Sequence, residues 1–594
     1  MSGNGSRPTD GAVLRVTADT LQGMVDDDSR RAESAPVRTP SALDAIADSY
    51  VTAMAEADPF FATSIGVPGH DHEVSDLSPA GFEAAARLRS ETLARIAGVE
   101  DQDDVDAVTR AAMLERLGLE DELDRGGAGR AQVNNIASPL QSQAILDLMP
   151  THTPEQWEAI AERMSRFPAA LSGWAETLRA EAASGYVSAR RQLQLGAEQA
   201  RGYADPDGGY FAQLVGRLDA SSPQRATVEA GAKAASQAYL DLADVLDELV
   251  PQAPDADGVG SELYQLCSRS FLGDTIDLRE TYDWGVEQVR SLIAEQEQVA
   301  RRINERYGNG GGDSIEAAKA SLDADPERTL DGTDALKSWM QETADAAIRD
   351  LAGVHFDIPE KLRTIECCIA ETGSGGIYYT PPSEDFSRPG RMWWDVPHGT
   401  TEFHTWQEKT TVYHEGVPGH HLQCGIQVLH APILNRWRAL ACWVSGQGEG
   451  WALYSERLME QLGYLDDDGD RLGMLDAQRL RAGRVVLDIG LHNGFAMPEG
   501  IVGSAGGDWT YDKAWEFMTA NWGMAEAERR FELHRYLGWP GQAPSYKVGQ
   551  RVWEDLRAAH AGEGASSEQV RAFHTRALAL GSLPLSVLRE ALAR

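Results

Sequence analysis

The chain has 594 residues, of which 42% are hydrophobic and 25% are charged, a composition ordinary for a globular protein with a large core. Its 92 acidic and 54 basic residues leave a formal net charge of −38, which repels nucleic acid and anionic lipid surfaces, so we expect no nucleic-acid or membrane partner. Five cysteines without paired metal-ligand spacing, no apolar run of about twenty residues and no signal pattern at the first residues predict a cytoplasmic protein without a disulfide framework.

Helical periodicity dominates most of the chain. Residues 1–39 are polar and interrupted by Gly, Pro and Asp, and they are predicted to form a partly disordered arm. Ser41 is placed to cap the first long helix. Residues 40–594 are predicted to form a single helical catalytic unit, with one half over 40–360 and the other over 361–594.

The pattern changes to short β-rich segments before the helices return. Three such segments, at 364–369, 376–379 and 391–396, predict a small antiparallel sheet just ahead of a histidine-rich helix. The edge strand of this sheet could pair with an extended substrate, or the sheet could only brace the helices. The overall prediction is a mainly α fold with a deep groove between its two halves.

The segment Tyr413–Gln423, YHEGVPGHHLQ, carries three histidines and a glutamate. Zinc hydrolases bind the metal through neutral imidazoles, and a neighbouring carboxylate can accept a proton from the attacking water. The familiar H-E-x-x-H spacing puts both histidines on one helix face, whereas here the next histidines come six and seven residues after His414. In a straight helix neither position could share an ion with His414.

A break in the helix would remove this difficulty. Pro418 lacks an amide donor and Gly419 accepts unusual dihedrals, so together they can swing His420 back beside His414. We therefore predict His414 and His420 as zinc ligands, with His421 in reserve. Glu415 is predicted to be the general base. The alternative is a helix end, a Pro-Gly turn and a solvated pair of histidines.

A third ligand is available in the helical segment Glu449–Glu456. Glu449 and Glu456 are seven residues apart and share a helix face among apolar neighbours, where a carboxylate needs a partner. We predict Glu449 as the third ligand and Glu456 as the acid that supports the site from behind. The alternative is an ordinary amphipathic helix with solvated acids.

These segments carry a family resemblance. Together with Tyr378–Ser383, Asp488–His492 and Pro540–Gly549 they resemble the bacterial family known as domain of unknown function 885, which is regarded as a family of zinc metallopeptidases with an H-E-x-x-P-G-H-H-x-Q signature. Order and spacing agree from about residue 45 to the C-terminus. More distantly, the family is similar to helical peptidases of the thimet oligopeptidase type, whose third ligand is also a glutamate opening a helix, with another glutamate seven residues on. The resemblance implies a zinc peptidase.

Peptide hydrolysis also needs a donor for the developing oxyanion. Tyr546 follows Pro544 at a helix start, where its phenol can point into a cleft, and His492 and Tyr379 are alternatives. A core or interface role is equally open for each of the three. Asp488 is predicted to orient a ligand or catalytic histidine by accepting its hydrogen bond.

Cationic side chains are candidates for holding the substrate. Arg388, Arg535 and Lys547 could bind a substrate carboxylate, although an arginine more often pairs with a structural acid. Tyr379 is a further candidate for substrate contact.

The leading prediction is a peptidase that carries one Zn²⁺ per chain and acts on short peptides, because a deep groove would exclude folded proteins. One alternative is a zinc hydrolase of an amide or ester in a small metabolite, since the same chemistry would serve. A second alternative is a helical binding protein that has lost activity. The retention of His414, Glu415, His420 and Glu449 argues against that alternative.

Overall fold

The structure is a computed structural model that describes residues 38–370, 376–397, 399–562 and 564–594. Ser41–Arg594 form one compact unit. The predicted arm at the N-terminus falls almost entirely outside the described residues. The division of the helical unit at residue 360 stays a prediction.

Helices make up most of the described residues, which confirms the mainly α fold. The helices before the central sheet are α1 Ala42–Ala57, α2 Pro59–Ser64, α3 Pro79–Ala97, α4 Asp104–Arg125, α5 Ala128–Ala131, α6 Pro154–Ser184, α7 Arg190–Ala204, α8 Tyr210–Gly216, α9 Arg225–Leu249, α10 Ser261–Leu272, α11 Leu278–Tyr307, α12 Ile315–Asp323 and α13 Thr333–Leu351. The helices after it are α14 Thr405–Glu415, α15 His420–Leu429, α16 Ser445–Gln461, α17 Asp468–Asn493, α18 Tyr511–Asn521, α19 Glu526–Gly538, α20 Ser545–Ala561, α21 Ser567–Ala579 and α22 Leu585–Ala593. No helix in the described part of the chain is long and apolar enough to cross a membrane.

The strands are short. They are β1 Thr329–Asp331, β2 Ile365–Ala370, β3 Ile377–Thr380, β4 Gly390–Asp395, β5 Glu402–His404, β6 Ala496–Met497 and β7 Gly507–Asp508. β1 pairs with β5 and β6 pairs with β7, both antiparallel. The central sheet has the order β2-β4-β3, so β3 is one of its edges.

The central sheet is mixed, which corrects the prediction of an antiparallel sheet. β3 and β4 are antiparallel, with Ile377 opposite Trp394, whereas β2 and β4 are parallel, with Ile365 opposite Gly390. The chain reverses after β2 and again after β3, and β4 then enters between the two earlier strands. The alternation of residue types within a strand predicts which face of the strand is buried, but it does not predict the order or the direction of the strands in the sheet.

Two hydrophobic clusters form the core. The smaller lies within residues 131–253, mainly on α6, α7 and α9. The larger extends from α1 to α22 and contains apolar side chains of α14, α15, α16 and α20. The histidine segment therefore belongs to the larger cluster.

Glycines let the helices of the larger cluster approach closely. A Cβ on Gly450 of α16 would overlap the backbone of Gly549 on α20, so these two helices cross at their glycines. A Cβ on Gly473 of α17 would likewise overlap the Trp406 carbonyl oxygen on α14. The first crossing joins α16 to α20, and the second joins α17 to the start of α14.

Candidate metal centre

The histidine segment is two helices with a break between them. α14 ends at Glu415 and α15 begins at His420. The break depends on Gly419, because a Cβ there would overlap the carbonyl oxygen of His414. As a result the imidazole rings of His414 and His420 lie with centroids 5.0 Å apart. The break therefore lies where the Pro-Gly pair predicted it.

Three side chains converge at this break. Glu449, on the first turns of α16, has its Oε2 atom 3.4 Å from His414 Nε2 and 3.6 Å from His420 Nε2. All three donor atoms lie within 4.8 Å of one another. Donors on a tetrahedral zinc ion, with bonds of about 2 Å, lie roughly 3.3 Å apart, so the spacing suits that ion. We call His414, His420 and Glu449 the metal cluster.

Hydrogen bonds behind the histidines fix which nitrogen faces Glu449. His414 Nδ1 lies 2.8 Å from Glu456 Oε1, and Glu456 Oε2 accepts a hydrogen bond of 2.8 Å from the Thr410 hydroxyl. His420 Nδ1 lies 3.1 Å from Gln423 Oε1. Both Nε2 atoms are thereby left for the point where the three side chains meet, which is the usual arrangement behind ligand histidines.

The electrostatics of the cluster favour a cation. Burial alone would raise the pKa of Glu449, but hydrogen bonds to the two histidines hold it well below its usual range. Burial opposes charge on His414, yet Glu449 and Glu456 outweigh burial and raise its pKa to about 10. A half-buried carboxylate that stays ionised therefore faces two buried imidazoles.

Glu415 lies beside the metal cluster, and its pKa is shifted in the opposite direction from that of Glu449. Burial raises the pKa of its carboxyl group. Its Oε2 atom is buried without a hydrogen-bond partner among the described residues. An acid with a raised pKa and an unengaged oxygen is available to take up a proton.

His421 does not belong to the cluster, which corrects its place as the reserve ligand. Its Nδ1 lies 2.8 Å from the Tyr379 hydroxyl and its Nε2 lies 2.9 Å from the Leu362 carbonyl oxygen. One step along a helix turns a side chain by about 100°, so His421 faces the sheet when His420 faces Glu449.

The cluster opens into a cavity of about 630 Å³. The cavity is lined by Glu415 and all three cluster residues, by three other residues that the sequence nominated, Tyr379, Arg535 and Tyr546, and by Arg481 and Arg484. We call it the arginine cavity. A second cavity of about 570 Å³ shares Trp443 and Glu449 with it and contains several aromatic side chains, so we call it the aromatic cavity.

Two predicted residues on α17 lie outside the lining of the arginine cavity. His492 Nε2 lies 2.9 Å from the Tyr536 carbonyl oxygen, so His492 is not placed as an oxyanion donor. Asp488 Oδ1 accepts hydrogen bonds from the Tyr264 hydroxyl at 2.6 Å and from the Gly541 amide at 2.9 Å, and it does not support a histidine of the metal cluster. Asp488 Oδ2 and His492 Nδ1 have no partner among the described residues, but neither residue lines the cavity, which corrects both predictions.

Two predicted cations also lie outside that lining. Lys547 Nζ donates to Gln478 at 2.6 Å and to Gln550 at 2.9 Å, and burial lowers its pKa to about 8. Arg388 donates to the carbonyl oxygens of Pro381 and Pro389, within the turn between β3 and β4. Both residues hydrogen-bond to the protein's own groups and lie outside the cavity lining, so their role in binding substrate stays a prediction that this geometry does not support.

Sequence reasoning missed Arg481 and Arg484, which α17 brings to the cavity. They are three residues apart and so share a helix face. Arg484 donates to Glu532 at 2.8 Å and to the Tyr536 hydroxyl at 2.7 Å, and Arg535 donates to the same Glu532 oxygen at 2.6 Å. The available signal was a pair of arginines at helical spacing one to two turns before Asp488, on the helix that also carries His492.

Solved structures share this fold. A protein described as the putative lipoprotein from Colwellia psychrerythraea is 23% identical, with a TM-score of 0.75, and the match covers 93% of this chain and 99% of that one. A putative lipoprotein of unknown function from Shewanella oneidensis is 17% identical, with a TM-score of 0.68 and coverage of 94% and 100%. Identities this low show the fold alone.

A comparison with curated proteins found no match. A family model does match, from residue 59 to residue 592, and thus over most of the compact unit. The chain belongs to the family described as bacterial protein of unknown function (DUF885).

Proposed function

We propose that this protein is a zinc-dependent peptidase that hydrolyses short peptides. The observation that carries the proposal is the convergence of His414, His420 and Glu449, with donor atoms within 4.8 Å, beside the buried carboxylate of Glu415. Two histidines and a glutamate form a known donor set of catalytic zinc sites. When bound, Zn²⁺ supplies a Lewis acid that activates water and polarises a carbonyl group.

The chain's own residues supply the remaining steps. Glu415 takes a proton from the attacking water and passes it to the leaving amine, a task that its raised pKa suits. Tyr546 lines the same cavity and is the donor for the developing oxyanion. Glu456 keeps His414 in the orientation in which its Nε2 faces Glu449.

The surroundings of the cluster favour an extended chain as substrate. Residues of β3, an edge strand, line the arginine cavity and offer backbone groups with which a peptide can pair. The aromatic cavity meets the arginine cavity at Trp443 and Glu449, which leaves room for a chain on both sides of the cluster.

We also propose that the protein works in the cytoplasm. All five cysteines are free thiols in the structure, and Cys367 and Cys368 are neighbours that stay unpaired. Cell fractionation tests this proposal, and recovery of the protein in the membrane or secreted fraction would contradict it.

Metal analysis and a digest of a mixed peptide library test the peptidase proposal. The wild type is expected to hold one zinc per chain and to cut peptides. Glu415→Gln is expected to hold the same zinc and to lose about 10²- to 10⁴-fold in turnover, the usual contribution of a general base. Glu408→Gln, on the same helix but outside the cavity lining, is the matched control and should resemble the wild type.

Three results would contradict the proposal. They are the absence of bound zinc, full activity in Glu415→Gln, and a zinc-loaded protein that leaves every peptide intact. The last result would point instead to an amide or ester bond in a small molecule.

A further inference from the structure

One wall of the arginine cavity carries three arginines, Arg481, Arg484 and Arg535, and few of their charges are paired directly. Of its three arginines, Arg484 and Arg535 both pair with the one carboxylate of Glu532. That pairing holds the pKa of Glu532 low, at about 2, against the effect of burial. Glu532 is thus shared by two guanidinium groups, and the other acids of the lining, Glu415, Glu449 and Glu528, form no ion pair with an arginine of this wall within 4 Å among the described residues.

Arg481 has no acid of its own. Among the described residues it forms no ion pair within 4 Å, and its one hydrogen bond is a long contact of 3.5 Å from Nη1 to the carbonyl oxygen of Ala477 in its own helix. Its Nε atom is buried without a partner. The other acid in this wall, Glu528, makes no ion pair with it within the described chain. Arg481 is half-buried, and most of the donors of its guanidinium group are not taken up by protein partners, so they are available to a ligand in the cavity.

The lack of an acidic partner for Arg481 among the described residues is unexpected in a chain with this net charge. The chain carries 92 acidic and only 54 basic residues, so an arginine without an acidic partner runs against its composition. Arg481 also lines the same cavity as Glu415 and Tyr546, the groups that face the reacting bond in the proposed function. The unpaired charge thus lies in the cavity where a substrate would bind.

We propose that Arg481, which lines the same cavity as Arg484 and Arg535, forms a subsite for a substrate carboxylate. A planar guanidinium with free donors binds a carboxylate through two parallel hydrogen bonds. The carboxylate is either the α-carboxylate at the end of a peptide or the side chain of an acidic residue. In the first case the enzyme releases residues from the C-terminus. The inference rests on the proposed function, because it identifies the substrate of that same site.

Three peptides of one sequence distinguish these sources. The first ends in glutamine with a free carboxylate, the second ends in glutamine amide, and the third ends in glutamate amide. We expect at least one of the two carboxylate peptides to be cut about 10- to 100-fold faster, in kcat/KM, than the glutamine amide, the effect of a hydrogen-bonded charge. Preference for the first identifies the α-carboxylate, and preference for the third identifies the side chain.

Variants assign the preference to Arg481. In Arg481→Ala the rate ratio between carboxylate and amide peptides is expected to fall to about one, and Arg481→Lys should restore part of it. Arg301→Ala removes the same charge from an exposed position on α11 and should keep the wild-type ratio. Equal cleavage of all three peptides by the wild type would overturn the inference, as would a preference that survives in Arg481→Ala.

A binding measurement separates this inference from the proposed function. Titration of the three peptides into Glu415→Gln protein, followed by calorimetry, needs no turnover. Tighter binding of a carboxylate peptide, lost in the double variant with Arg481→Ala, supports the subsite even if no peptide is ever cut. Cleavage without any carboxylate preference, in binding or in rate, would keep the peptidase and remove the subsite.

Discussion

Two buried groups of histidine and acid in the described part of the chain differ in what their polar atoms face. In the metal cluster the Nδ1 atoms are held by Glu456 and Gln423, while the Nε2 atoms face a third side chain across a cavity. The other group, which we call the α17 cluster, consists of Tyr264, Asp488 and His492. There the tyrosine and the Gly541 amide share one oxygen of Asp488, and His492 faces a backbone carbonyl.

The difference separates a site from a structural network. Burial and a nearby acid are common to both groups, so neither property identifies a ligand by itself. Within the described residues the metal cluster is the group found to have three donor atoms within 4.8 Å of one another. Convergence of donors on a shared point beside a cavity is what marks the metal cluster.

Loss of one ligand should have the largest effect. His420→Ala is expected to weaken zinc binding by on the order of 1,000-fold, because it removes one of three protein donors. The adjacent His421→Ala is the matched control: it should keep the zinc and lose about 1–3 kcal/mol of stability, since it leaves Tyr379 and Leu362 without their partner. Elemental analysis after dialysis measures the metal. Loss of zinc from His421→Ala, with zinc retained in His420→Ala, would show that His421 is the ligand and His420 is not.

Asp488→Ala should have the next largest effect and should act on stability alone. It leaves the Tyr264 hydroxyl and the Gly541 amide buried without an acceptor, which costs about 3 kcal/mol in the free energy of unfolding. Zinc content should stay at one per chain. Denaturant unfolding with metal analysis of the same sample measures both. A loss of zinc without a loss of stability would show that the α17 cluster belongs to the site after all.

The third prediction concerns Glu532, a carboxylate that lines the arginine cavity and pairs with Arg484 and Arg535. Its pKa is lowered from 4.5 to about 2, so its stabilisation is fully present above about pH 4.5 and is lost as the pH falls towards 2. Glu532→Gln is expected to lower the free energy of unfolding by about 2–3 kcal/mol at pH 7, and the gap to the wild type should close between pH 4.5 and 2. Urea unfolding across this range measures the gap, and a gap that does not change with pH would contradict the pairing.

Local rules predicted much of the fold and the centre of the site. Helical periodicity gave the mainly α fold, and the residue types of Pro418 and Gly419 predicted a break between His414 and His420. The seven-residue spacing of Glu449 and Glu456 placed both on one face of α16, towards the histidines. Each of these inferences uses only neighbours within about two helical turns.

The parts that failed depend on contacts between distant segments. Whether Asp488 and His492 meet the cavity depends on how α17 packs against α14, which is set in part by the contact of Gly473 with the Trp406 backbone. The same packing brings Arg481 into the cavity. Lys547, on α20, lies outside the lining and donates to Gln478 of α17. A sequence shows which residues share a face of one helix, and long-range packing decides what that face meets.

Of the four substitutions, Glu456→Gln should have the smallest effect. Glu456 has a feature of both groups, because it supports the metal cluster but contacts only protein atoms. Glu456 touches no ion in the proposed arrangement; it is bound entirely by the protein, like Asp488, yet it orients a ligand. Glutamine keeps the volume, but its single carbonyl oxygen can accept from only one of Thr410 and His414 Nδ1, and the amide –NH2 group takes the other position. Zinc affinity should therefore fall about 10- to 100-fold while the chain stays folded. Competition with a chelator measures the affinity and a thermal melt of the metal-free protein controls for folding. If the affinity is unchanged, the orientation of His414 is set by the helix break alone, and the hydrogen bond behind it is structural in the same sense as those of the α17 cluster.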